Sequence, residues 1–153
     1  MSADLDRFVR AQALDFDRAL AELSAGRKRS HWIWYVFPQL AGLGSSPMAE
    51  RYGLRGADEA TAYLRHPTLR ARLLDAAHAV LAYLQLERPA RLESLMGSGI
   101  DALKLVSSMT LFREIARRVN DDEMFAAAEA ILKAAAEQGY GECAFTVNAL
   151  RRA

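Results

Sequence analysis

The segment "GIDALKLVSSMTLFREIARRV", Gly99 to Val119, puts three polar side chains on a stripe that ought to be buried. At about 100° per residue, Leu105, Phe112, Ile115 and Val119 fall within about 80° of one another on a helix. With Asp101 at zero, Ser108 sits at about −20° and Lys104 at about −60°, on or beside the same arc. A carboxylate, an ammonium and a hydroxyl therefore share a core-facing stripe, where unpartnered burial is costly. They need partners or a wet cleft. A cleft would be a pocket at a helix N-terminus, where the dipole and Lys104 favour an anion and Ser107, Ser108 and Thr110 add hydroxyls. Simple pairing accounts for the same residues: Asp101 complements the helix start, Lys104 pairs with it at i+3, and Ser108 bonds back to a carbonyl. A Ser–Lys nucleophile–base dyad needs more than this common spacing to support it.

A second concentration of chemistry lies in "RKRSHWIWYVFPQ", Arg27 to Gln39, which holds both tryptophans directly behind three cations. Trp32 and Trp34 are about 200° apart on a helix, so one fills the core while the other is free to wall a site. With His31 and Gln39 it would make a surface on which a planar or cationic group stacks. Arg27, Lys28 and Arg29 read most simply as the cationic end of a helix dipole. Tyr52 and His66 complete the candidate ligand-binding set, although His66 before Pro67 also suits a cap or turn. His78 lies within a helix. No His-x3-His, Cys-x2-Cys or carboxylate cluster points to a metal, and no cofactor is expected. "GLGSS" is a Gly-rich turn that matches no phosphate-loop pattern.

The elements that must position these groups are helices. Alanine and leucine dominate, and β-branched residues are sparse outside the Trp-rich stretch. Leu5 to Gln12 reads as a short helix capped by Asp4. A second, carrying Leu14, Leu20 and Leu23, runs to Gly26. Ser46-Pro47 starts a short helix ending at Gly53, and Ala57 to Arg65 forms another. His66-Pro67 opens a long helix that stops before Pro89. Ser98 caps Gly99 to Val119, Asp121 caps Asp122 to Gln138, and a last helix spans Thr146 to Arg152. "HWIWYVF" has strand-like composition, but a lone strand would leave its backbone unpaired, so a short buried helix is preferred. The fold expected is all-α, a single helical domain over 1–153.

At 153 residues, 52% hydrophobic and 25% charged, the chain fits one folded domain. Its 20 Lys and Arg against 19 Asp and Glu leave a net charge of +1. That near-balance weighs against nucleic acid as a partner, despite the Arg27–Arg29 and Arg113, Arg117, Arg118 groups. Cys143 is the one cysteine, which points to a reducing, cytoplasmic setting, and no apolar run approaches a membrane span.

"DLDRFVRAQ", "SHWIWYVFPQLAGLGSSPMAERYG", "EATAYLRHPTLRARL" and "DALKLVSSMTLF" resemble, in order, the mainly bacterial family called domain of unknown function 1810. The resemblance runs from Asp4 to about Gly141. It implies a compact crossed bundle of helices and favours helix for the Trp-rich stretch, but supplies no activity, cofactor or substrate. Its pattern places His31, Trp32, Trp34, Pro38, Gln39, Gly44, Tyr52, His66, Pro67, Asp101, Lys104, Ser108 and Thr110 at matching positions. The calpastatin label often given to members does not suit a short, compact, apolar chain. "GECAFTVNAL" lacks the Asp that usually precedes the Thr of the final helix. Two expectations follow: a domain that binds, or acts on, a small anionic or nucleotide-like ligand, or a non-enzymatic interaction module whose polar cluster is structural. Either fits a monomer or small homo-oligomer.

Overall fold

A computed structural model describes residues 4–86 and 90–152. Within them the regular secondary structure is helical, and the one β feature is an isolated bridge between Leu40 and Leu54. The helices are α1 (Asp6–Ser24), α2 (Ile33–Val36), α3 (Pro47–Tyr52), α4 (Ala57–Arg65), α5 (Pro67–Leu84), α6 (Leu92–Met96), α7 (Gly99–Val119), α8 (Asp122–Glu137) and α9 (Ala144–Arg152). Packing centres on α7, which packs most extensively against α8 and also touches α2, α4, α6 and α9. Helix α5 bridges α1 to α8. Leu105, Phe112, Ile115 and Ala116 of α7 are buried in a core shared with Tyr63, Leu73, Val80, Ile131 and Ala135. No helix among the described residues is long and apolar enough to cross a membrane.

Helix starts follow their caps. Ser46 accepts from Ala49 N (3.2 Å), His66 Nδ1 from Leu69 N (3.3 Å), Ser98 from Asp101 N (3.1 Å) and Asp121 from Met124 N (3.1 Å). Pro sits at the first position of both α3 and α5, where its missing N–H costs nothing. Arg70 forks onto Asp121 (2.8 and 2.9 Å), tying α5 to the start of α8. That guanidinium, above all, holds the Asp121 carboxyl below its ordinary range.

Three sequence readings need correction. Residues 5–24 do not break into two helices. Nothing between Gln12 and Leu14 interrupts helix, so α1 runs on, and its inward stripe is Phe8, Gln12, Phe16, Ala19 and Leu23. Leu14, grouped with Leu20 and Leu23 on one side of the expected second helix, is 84% exposed, whereas Leu23 is buried. Asp4 does not cap α1: Leu5 holds that position and makes no side-chain cap. The five-residue α6 has no counterpart in the sequence reading, because one turn is too short to show periodicity. Helix α5 ends at Leu84, and Pro89, expected to stop it, lies outside the described residues.

Candidate functional site

The Trp-rich stretch is held by one acceptor. Helix α1 ends at Ser24, and Gly26 takes the left-handed conformation (φ 87°) that turns the chain back. Glu22 then gathers the loop. Its Oε1 accepts from Arg29 N (2.8 Å), Ser30 N (2.9 Å) and Trp32 Nε1 (2.9 Å), and its Oε2 from Ser30 Oγ (2.6 Å). Burial opposes the charge, but these hydrogen bonds outweigh it and hold the Glu22 carboxyl down at about 2.

Lys28 is the residue this loop delivers. Its backbone N–H donates to Leu95 O (2.7 Å), docking the loop on α6. Gly97 closes α6 in the left-handed conformation, and a Cβ there would press on Lys28 O (3.2 Å). The Lys28 side chain points inward, only 5% exposed. It pairs with Asp101 (Nζ–Oδ2 2.8 Å), donates to Ser30 O (2.6 Å) and lies over the Trp32 ring (5.0 Å). The cationic triplet is therefore not the end of a helix dipole: α1 has no basic residue in its last turn, and the middle cation is spent on Asp101.

Asp101 and Lys104 stand on the first turns of α7, as the helical spacing requires. Asp101 is shared by two ammoniums, Lys28 at 2.8 Å and Lys104 at a looser 3.8 Å. Lys104 in turn lies over the indole of Trp34 (5.4 Å). The cluster thus has two Lys–indole pairs around one carboxylate, a geometry in which both cations gain from the ring quadrupoles. Trp32 is fully buried and Trp34 partly so. Trp32 is the residue that precedes the one-turn helix α2, and Trp34 lies within it. Ser108, one turn beyond Lys104, is fully buried. Its Oγ and Trp34 Nε1 are both sealed from solvent with no hydrogen-bond partner among the described residues.

The other expected residues lie elsewhere. His31 is exposed, and its backbone carbonyl, not its ring, is what accepts from Tyr35 Oη (3.3 Å). Gln39 lends its carbonyl to Leu54 N (2.9 Å), completing the bridge across the α3 loop. Tyr52 packs on Phe8 and Tyr35 (ring centroids 5.7 and 5.1 Å apart). His66 is the cap of α5. Thr110 bonds back to Val106 O (2.8 Å) and accepts from Cys143 N (3.1 Å), fixing the chain ahead of α9 to α7. Ser107 is buried on α7. At the start of α9, where the resemblance leads one to look for Asp, Cys143 Sγ accepts from Thr146 Oγ1 (3.2 Å).

Sequence reasoning missed Lys28 and Glu22 as the residues that build this corner. Nothing in "RKR" says which cation turns inward, since that depends on where the loop meets α6. Two surface cavities lie away from the cluster. One of about 720 Å³ sits at the α7–α8 turn beside Arg70 and Asp121, and one of about 380 Å³ lies between α1 and α5. No group of three or more His, Cys, Asp or Glu among the described residues is placed to hold a metal ion.

None of the curated proteins matches this chain. A crystal structure of the conserved hypothetical protein Rv1873 from Mycobacterium tuberculosis, determined at 1.38 Å, is similar to it. The two share 43% identity with a TM-score of 0.79, over 97% of this chain and 96% of that one. The family described as "protein of unknown function (DUF1810)" matches residues 2–138, and the chain belongs to that family.

Proposed function

We propose that the protein binds a small anionic ligand beside Lys104, against the indole of Trp34 and the first turns of α7. The observation that carries this reading is the unequal commitment of the two lysines. Lys28 is closed on Asp101, Ser30 O and an indole face, and its exposure is negligible. Lys104 keeps 25% of its side chain exposed and sits 3.8 Å from Asp101, so it retains donors for a visitor. Lys28 and Asp101 are the floor; Lys104 is the contact. Ser108 is too deeply buried to act as a nucleophile, which favours binding over acyl transfer.

Thermal denaturation in the presence of inorganic phosphate, benzoate or adenosine monophosphate tests this reading. At least one anion should raise Tm in a saturable way at constant ionic strength, and Lys104→Met should abolish the rise. A rise that persists in Lys104→Met, or none with any anion, defeats the proposal.

A second reading, an interaction surface, draws on Ile100 and Leu103, both well exposed one turn apart on the same helix. Light scattering after size exclusion separates the two: a dimer that Leu103→Asp dissociates would favour it.

A further inference from the structure

The cavity of about 380 Å³ between α1 and α5 is walled by the ends of both helices. Leu23 comes from the last turn of α1, Ala79, Ala82 and Tyr83 from the end of α5, and Leu86 from just beyond it. None of the described residues that line it carries a formal charge. Leu23 is buried, whereas Ser24, Ala82 and Leu86 are exposed, so the space has an apolar floor and a wet rim. Gly26 lies against Tyr83, where a Cβ would stand 3.5 Å from the ring. Small residues leave the space, and Tyr83 and Leu86 supply an apolar wall on which a ring can pack.

The two helices run parallel and end together. Arg72 of α5 lies beside Gln12 and Phe16 of α1 (3.5 Å to Gln12 Oε1, 5.9 Å to the Phe16 ring), and farther along both helices Tyr83 meets Gly26. Their dipoles therefore bring two partially negative ends to one cavity. A cation in the last turn commonly offsets such an end, and neither α1 nor α5 has a basic residue there. Arg27, the first cation past α1, is exposed and does not line the cavity. Closure of α1 spends the Ala25, Gly26 and Arg27 N–H groups on Ala21 O, Leu23 O and Glu22 O, and Ser24 O receives none of them. We infer that this cavity binds a small arylalkylamine in its protonated form. The ammonium sits at the wet rim by the two helix ends, and the apolar body covers Leu23, Tyr83 and Leu86. The volume is that of a small-molecule pocket, and the dipoles supply the preference for positive charge.

Two-dimensional ¹H–¹⁵N spectra of the full chain test the assignment with three probes of one shape: phenethylammonium, neutral 2-phenylethanol and anionic hydrocinnamate. The cation should move the Gly26, Ala82 and Leu86 amide signals saturably. Two helix ends should make it bind roughly threefold to thirtyfold more tightly than the alcohol at low ionic strength, with hydrocinnamate weakest. Added salt should narrow that gap. Ala82→Arg gives the last turn of α5 the cation it lacks, so it should abolish the preference while Tm holds or rises. Ala82→Gln adds length without charge and should keep the preference. Equal affinity for cation and alcohol would leave an apolar groove only and overturn the amine assignment. Equal losses in Ala82→Arg and Ala82→Gln would make the effect steric and defeat the dipole argument. No movement with any probe means that the cavity is not a site. Movement of the same amides on dilution without amine means that a second copy of the chain covers the groove, and the assignment fails.

Discussion

Glu22 accepts four hydrogen bonds from three residues of one loop, and its burden shows in its acidity. Its carboxyl titrates at about 2 in the fold against 4.5 when unfolded. A carboxylate depressed in this way contributes stability above the unfolded value and loses it as pH falls from about 4.5 toward about 2. Glu22→Gln keeps the shape but removes the charge that three N–H donors and a hydroxyl address. Replacing an acceptor of charge-assisted hydrogen bonds should cost about 1–3 kcal/mol at neutral pH. The variant should also have a flatter acid limb, because the group responsible for part of the slope is gone. Urea melts between about pH 2.5 and 7 provide the check. Parallel acid limbs for the two proteins would mean that Glu22 does not carry the loop. Trp32 emission should respond in the same variant, since its indole N–H loses the charged partner.

At the scale of elements, the legible parts of the sequence were those with a local chemical cause. Ser46-Pro47, His66-Pro67, Ser98 and Asp121 each announce a helix start through an acceptor and an orphan backbone N–H, and each does so here. The split assigned to α1 had no such cause, only an apolar Leu14 that the fold leaves in water. The loop around α3 shows what local signals omit. Ala41 N bonds Leu54 O (2.8 Å) and Leu54 N bonds Gln39 O (2.9 Å), so the chain crosses itself at Gly53. A Cβ on Gly53 would stand 2.7 Å from Ala41 Cα and 3.0 Å from Ala49 O. Two backbones cannot retreat as a flexible side chain can. Gly53→Ala should therefore cost about 1–3 kcal/mol by overpacking, although its φ of −66° suits alanine. For a chain of this size that is a fall in Tm of roughly 2–4 °C per kcal/mol, readable by calorimetry. An unchanged or raised Tm would show that the crossing has slack. Gly56→Ala would be a poor control, since its positive φ is itself strained.

Across the whole molecule, the α7 stripe told in advance that Asp101, Lys104 and Ser108 needed partners, because helical geometry fixes which residues share a face. It could not say who the partners were. Lys28 comes from 73 positions earlier in the chain and Trp34 from a one-turn helix, and both arrive through the docking of the α1–α2 loop on α6. His31 and Gln39 carried the same sequence signal as Trp34 but face other tasks. The assembled corner separates two functions in two lysines, and that separation is measurable. Lys28→Met removes a buried partner and leaves Asp101 with only the looser Lys104, at 3.8 Å. Breaking a buried pair on one side costs about 3–5 kcal/mol, so this variant should be strongly destabilised. Lys104→Met removes a partly exposed cation whose pairing is weak, and its stability should lie within about 1 kcal/mol of wild type. Lys28→Met with Asp101→Asn should recover part of the loss, since no unpaired carboxylate then remains buried. Urea titrations of the three variants decide it. Equal losses for the two lysines would make the cluster one structural knot with no residue left over for a ligand. A large loss at Lys28 with almost none at Lys104 leaves the second lysine held in place by the fold yet not needed for it.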